Sequence, residues 1–206
     1  MQDYFIPSVF FTLFFVVDPL GLVPVFLPYL SGYTADRRRR IVVKAVVIAL
    51  AASLFFIFFG NALLRFLGIS AGSFLIAGGI LLFLVAIDML FARPARTKVS
   101  EPSAPDTEGD ISVFPLAIPM LCGPGNIAAL LMFSAQVQDD PAGLGLLVLI
   151  TVVVFALALI IMFLAVSLQR LLGDTGLSVI QRLMGLILSA LAVQFIVNGL
   201  KRFEIL

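Results

Sequence analysis

Six apolar runs, at about 4–30, 41–64, 71–91, 111–136, 142–168 and 183–200, take up most of this 206-residue chain and leave only short polar connections. A helix rises 1.5 Å per residue, so each run can cross a hydrocarbon layer of about 30 Å, the last near the lower limit. The runs are continuous rather than alternating, which selects helices over the strands of a barrel. Charged residues are 12% of the chain, against roughly 25% in a soluble domain. A water-facing surface cannot be assembled from so few. The first run lacks a basic leading segment and continues for about 26 residues, so it reads as a retained span rather than a cleaved signal. The chain is therefore an all-α, polytopic membrane protein with six transmembrane helices.

Lys and Arg set its orientation. Arg37, Arg38, Arg39, Arg40 and Lys44 mark the first connection, Arg93, Arg96 and Lys98 the third, Arg170 and Arg182 the fifth. The opposite side has Arg65, Lys201 and Arg202. Ten against three places the odd-numbered connections in the cytoplasm and both termini outside. Residues 93–110, rich in Pro, Ser, Glu and Asp, read as a flexible cytoplasmic linker between two three-helix units, 1–92 and 111–206.

The units match one another. Each opens with a span interrupted at its middle, by Val17-Asp18-Pro19-Leu20-Gly21 in one and Cys122-Gly123-Pro124-Gly125-Asn126 in the other. Aligning Pro19 with Pro124 sets Asp18 against Gly123; in the third spans, Gly79 and Asp88 match Gly185 and Gln194. An odd number of spans per unit makes the second unit enter from the opposite face. The expected architecture is a pair of inverted-topology repeats with broken first and fourth helices.

Proline has no amide hydrogen and collides with the carbonyl four residues earlier, but it suits the first position of a new helix, after an Asp or Gly cap. Residues 5–17 and 124–136 would each span about 20 Å, so both breaks fall near mid-membrane. Backbone amides there must face protein, water or a ligand. Pro24, Pro28, Pro115 and Pro119 remove further donors nearby. Asp18 fills one helix N-terminus with its own carboxylate, whereas Gly123 leaves the other open for an anion. A small zwitterionic solute suits this asymmetry, its carboxylate at the amides of Gly123 to Asn126 and its ammonium toward Asp18. The expected binding residues are Asp18, Pro19, Gly21, Gly123, Pro124, Gly125 and Asn126, with the glycines allowing close approach. Kinked helices that serve packing alone are the plain alternative.

Asp88 lies near the cytoplasmic end of its span, where it either couples protons or sits at the interface with Arg93. Gln194 and Asn198 offer donors and acceptors for binding or for tying helices together. Gly78, Gly79 and Gly185 allow close helix contact. The run Arg37 to Arg40 is a topology determinant that also attracts anionic lipid. With no histidine, and Cys122 as the only cysteine, no metal, cofactor or catalytic constellation is expected. No phosphate-binding glycine pattern supports ATP drive, and a net charge of +1 gives no footprint for nucleic acid.

Phe15-Val16-Val17-Asp18-Pro19-Leu20-Gly21-Leu22-Val23-Pro24-Val25-Phe26 resembles the first-span signature of the MarC family of bacterial inner-membrane proteins. Residues 114–125, from Phe114-Pro115 to Gly123-Pro124-Gly125, resemble its fourth-span signature. Gly78-Gly79-Ile80, Ile87-Asp88-Met89-Leu90 and Arg182-Leu183-Met184-Gly185 are similar to its third and sixth spans. The likeness covers nearly the whole chain outside the linker. It departs at Leu22, where relatives often carry Asn or Thr, and at Cys122, where Ala is common. The resemblance implies a six-span protein of the bacterial inner membrane, some of whose relatives are described as carrying small neutral amino acids. Secondary transport of a glycine- or alanine-like solute is the expected function, with proton coupling left open. The alternatives are a non-transporting scaffold or assembly partner, or an exporter of another small solute. A lone Asp18 without nucleophile or metal does not make an enzyme.

Overall fold

The computed structural model describes residues 2–91 and 110–203. Most of the linker, and with it Arg93, Arg96 and Lys98, lies outside the described residues. Every regular element among those described is helical.

Helix α1, Gln2–Val17, stops where Asp18 takes a positive φ of 47° just before Pro19. One turn follows, and α2, Val23–Leu30, begins four residues later than the proline suggests. The next helix, α3, Ala35–Phe66, starts earlier than its apolar run. Thr34 caps it by accepting the Arg37 amide at 3.4 Å, and the four arginines form its first turns. Helix α4, Ala71–Leu90, is capped by Ser70, which accepts the Ser73 amide at 2.9 Å.

Ser112–Leu121 is an irregular helical segment with wide turns; the Cys122 amide reaches the carbonyl of Ala117 at 2.8 Å. Phe114 and Ile118 are extended there, at φ −130° and −128°. Each precedes a proline, and proline's ring drives its predecessor out of the helical region. After Gly123 the chain turns by 55° into α5, Pro124–Gln136. Helix α6, Pro141–Lys201, is capped by Asp140 and broken only at Gly173, whose φ is 63°. The polar connection expected over 169–182 is thus helical on both sides of a single glycine. Its Leu, Gln, Arg and Ser residues all tolerate helix, and only Gly173 adopts the left-handed conformation.

Three of these helices, α3, α4 and α6, are long and apolar enough to cross a membrane; the bent pair Ser112–Leu121 and Pro124–Gln136 makes a fourth if counted as one broken span. Large apolar side chains such as Phe55, Phe58, Phe59 and Leu186 lie exposed on the outside, as a lipid-facing surface requires.

Small residues decide how α4 meets the 174–201 arm of α6. Where a β-carbon would stand on Gly79, the Ala192 carbonyl oxygen is 2.8 Å away; on Gly185, the Ala86 carbonyl oxygen is 2.9 Å away; on Gly199, the Gly72 carbonyl oxygen is 2.8 Å away. The pairs Gly72–Gly199, Gly79–Ala192 and Ala86–Gly185 recur every seven residues and run in opposite directions. The two helices are antiparallel, with their backbones nearly touching.

Helices α3 and α5 run parallel. Asn126 donates to Ser53 Oγ at 2.9 Å, Leu131 fills the space over Gly60, and Asn61 donates to Ser134 Oγ at 2.9 Å. The start of α3 is tied to the start of the second unit, where Lys44 Nζ donates to Asp110 Oδ2 and Ser112 donates to Oδ1 through both its amide and its hydroxyl. Arg38 lines a cleft with Gln169, Asp174 and Ser178, beside the Gly173 break. The first connection, the end of the linker and the α6 break therefore share one end of the bundle. The N-terminal part of α1, the α3–α4 turn and the end of α6 share the other, with Phe5 edge-on to Phe133 and Phe203 against Gly72.

The Lys44 hydrogen bond, then those from Ser112, hold the Asp110 carboxyl below its ordinary value of 3.8. A depressed folded-state value adds stability above the unfolded value and loses it as pH falls through the folded one. Both side chains of the pair are well exposed, so the effect is small. The stability difference between the native protein and Asp110→Asn should shrink as pH is lowered from neutral to about pH 3. Thermal unfolding across that range checks it; a difference that grows toward acid would refute the assignment.

Candidate functional site

The two helix breaks lie against each other inside the bundle. A β-carbon on Gly125 would stand 3.2 Å from Val16 Cγ1 and 2.9 Å from Leu82 Cδ1. Val16 is two residues before Asp18, and Gly125 is beside Asn126, so the contact joins the last turn of α1 to the first turn of α5. Helix α4 closes the group: Gly78 faces the Pro124 carbonyl and Ala128, and Met89 Cε would be 2.4 Å from a β-carbon on Gly21.

At the first break, Asp18 Oδ1 accepts the Gly21 amide at 3.0 Å, and the Leu22 amide reaches the Asp18 carbonyl at 3.1 Å. Asp18 caps the single turn that leads into α2. Its other oxygen, Oδ2, is buried without a hydrogen-bond partner. Pro19 lies inside that turn. A β-carbon on Gly21 would stand 2.2 Å from Asp18 Oδ2, so glycine there keeps the carboxylate in place.

At the second break, Gly123 is the N-cap, has no side chain to offer, and is followed by Pro124 at the first helical position. The amides of the first turn then have no side-chain acceptor of the kind Asp18 supplies. Asn126 points its amide nitrogen at Ser53 Oγ, 2.9 Å away, and at Cys122 Sγ, 3.8 Å away; Ser53 itself donates to Cys122 Sγ at 3.5 Å. Asn126 is 1% exposed, and its carbonyl oxygen has no partner. Each break therefore presents one buried acceptor that nothing among the described residues satisfies. An unsatisfied buried acceptor costs about 1–3 kcal/mol.

Ser53 was not among the residues expected here. It sits mid-helix in an apolar run with no flanking Pro or Gly, and only the parallel packing of α3 on α5 brings it to Asn126. Asp88 is buried near the end of α4, next in sequence to Met89. Gln194 donates to Asn198 at 2.8 Å, and Asn198 donates to Met132 Sδ at 3.7 Å. These two tie the end of α6 to itself and to α5, one turn and a half beyond Asn126. Among the described residues no His, Cys, Asp and Glu cluster could hold a metal ion.

The sequence of this chain, compared with known proteins, matches the model of MarC family integral membrane proteins over residues 4–203. It is 38% identical over 201 residues to the membrane protein MJ1677 of Methanocaldococcus jannaschii, covering 97% of both chains. It is 35% identical over 189 residues to the inner membrane protein YhgN of Escherichia coli K12, covering 92% of both. With the membrane protein YvbG of Bacillus subtilis 168 it shares 36% identity over 207 residues, 98% of this chain and 96% of that one. No solved structure matches. These names give a membrane location and no substrate. Signatures first met around Asp18-Pro19 and Gly123-Pro124 extend, with the rest of the sequence, into likeness over almost the full length, and the chain belongs to the MarC family of integral membrane proteins.

Proposed function

We propose that this protein is a secondary transporter of a small neutral amino acid, of glycine or alanine size, working by alternating access around the two breaks. The observation that carries this reading is the pair of buried, unpartnered acceptors, Asp18 Oδ2 and Asn126 Oδ1, on abutting helix breaks. A solute ammonium donates to Asp18 Oδ2, and its carboxylate meets the uncapped amides at the start of α5, beside Asn126. Packing around Gly21 and Gly125 is too close for a large side chain. Protons are the natural coupling ion for a site built on a carboxylate, with Asp88 a second candidate.

In this proposal α6 counts as two spans, 141–172 and 174–201, and the chain crosses the membrane six times as two inverted repeats. The helix seam supports it. Exchanging the halves turns Gly79 into Gly185 and Ala192 into Ala86, so the Gly79–Ala192 contact becomes the Ala86–Gly185 contact. A pseudo-two-fold axis in the membrane plane would pass between them. The basic end of the bundle faces the cytoplasm, and both termini face the periplasm.

Proteoliposomes loaded with this protein should take up labelled glycine or alanine saturably, and faster with an imposed proton gradient. Absence of saturable flux under any gradient would remove the transport reading and favour a scaffold.

A further inference from the structure

None of Arg37 to Arg40 forms an ion pair among the described residues; the one salt bridge found there is Lys44–Asp110. Four guanidinium groups in little more than one helical turn repel one another, so each needs another reason to stay. Three have a contact that holds them: Arg37 stacks over Tyr33 at 4.8 Å, Arg38 donates to the Tyr33 carbonyl at 2.8 Å, and Arg39 lies over Phe163 at 5.5 Å. Stacking occupies the face of the Arg37 guanidinium and leaves its N–H edge available.

Arg37, Arg40 and Lys44 stand at i, i+3 and i+7, on one face of α3. They line an open cleft of about 490 Å³ with the hydroxyl-bearing Thr34 and Ser112. Asp36 and Asp110 also border it, so three cations against two carboxylates leave one positive charge. Ile41, where the apolar part of α3 begins, lines the same cleft. A group held here carries one negative charge, offers oxygens to planar and ammonium donors, and continues into hydrocarbon beside Ile41.

We infer that this cleft binds the phosphodiester of an anionic phospholipid, with Arg37 and Arg40 as the principal ligands and Lys44 shared between the phosphate and Asp110. The inference is independent of the transport reading. Three features separate this from general attraction of basic residues to membranes: the cleft, the register of its cations on one face, and the apolar edge beside it. Because Lys44 also holds the start of the second unit through Asp110, the phosphate and that carboxylate compete for one ammonium group.

The test uses purified protein in neutral detergent, titrated with short-chain phosphatidylglycerol, short-chain phosphatidylcholine and, separately, inorganic phosphate, with thermal unfolding as the readout. Phosphatidylcholine carries the same phosphodiester but adds a quaternary ammonium that the cleft's net positive charge repels, so phosphatidylglycerol should bind more tightly by about fivefold. Arg37→Gln with Arg40→Gln should abolish that preference, while Arg38→Gln with Arg39→Gln, which loses the same charge, should keep it. Asp110→Asn should tighten phosphatidylglycerol binding by about fivefold, a gain that misfolding cannot imitate. Equal affinity for the two lipids, or equal loss in both double variants, would overturn the site. Inorganic phosphate binding as tightly as phosphatidylglycerol would overturn the lipid assignment.

Discussion

Asp18→Asn should lower affinity for glycine or alanine by roughly 10- to 150-fold while leaving the protein folded. The range follows from a charge-assisted hydrogen bond worth about 1.5–3 kcal/mol. Asn keeps an oxygen to accept the Gly21 amide, now 3.0 Å from Asp18 Oδ1, and it remains a good cap. What changes is Oδ2, which becomes an amide nitrogen and has no partner to lose among the described residues. Binding measured by calorimetry on monodisperse protein, with uptake alongside, separates the two readings. Near-native affinity in the folded variant would make Asp18 a cap alone. The matching change at the other break, Gly123→Asp, is a poor probe, because its β-carbon would stand 2.6 Å from the Pro119 carbonyl oxygen. Lost binding there would report a displaced backbone as readily as a misplaced charge.

The second large effect belongs to the helix seam. Gly79→Val and Gly185→Val should each destabilise the protein by about 1–3 kcal/mol, at the upper end if the helices cannot part. The atoms that a new side chain would strike include backbone: Ala192 O and Ile196 N opposite Gly79, Ala86 O and Leu90 N opposite Gly185. Backbone cannot rotate aside as a side chain does, so one helix must shift along its whole length. Gly145→Ala is the control, with nothing within 4 Å of the added carbon. In a helix that change should be neutral or stabilising by about 0.5–1 kcal/mol. Unfolding in detergent compares the three. Equal stability throughout would mean that the close approach of α4 and α6 contributes little.

Much of this was legible because membrane chains write their rules plainly. Long apolar runs point to helices, and Asp18-Pro19 and Gly123-Pro124 point to breaks, because a proline in a helix interior removes a hydrogen bond and collides with the preceding turn. The small size of Gly79 and Gly185 alone marks them as contact residues. Starts and stops were less visible. Hydropathy begins α3 at Ile41, but its cap is Thr34, since the hydrogen bonds of a first turn do not depend on hydrophobicity. Residues 169–182 looked like a loop because they are polar, yet polar residues with good helix propensity stay helical when nothing stops them. Ser53 and the Lys44–Asp110 tie could not be found by reading along the chain. They depend on which helices are neighbours, and a single sequence does not state that.

Gly173 has a mechanical consequence. Its φ of 63° and ψ of 177° lie in a region essentially reserved for glycine, and among the described residues no atom beyond its own stretch of chain lies within 4 Å of where a β-carbon would be. Local torsion rather than packing fixes the angle there. Residues 174–201 form a rod of about 42 Å joined to 141–172 through that one residue and packed along α4, so a 10° change in its torsions, with α4 moving alongside, swings the far end by about 7 Å. A loop of several residues would absorb such a rotation; a one-residue fulcrum transmits it. The far end of this lever is Gly199, pressed on Gly72 at the start of α4, so a small rotation at one face of the bundle is delivered as a displacement at the other.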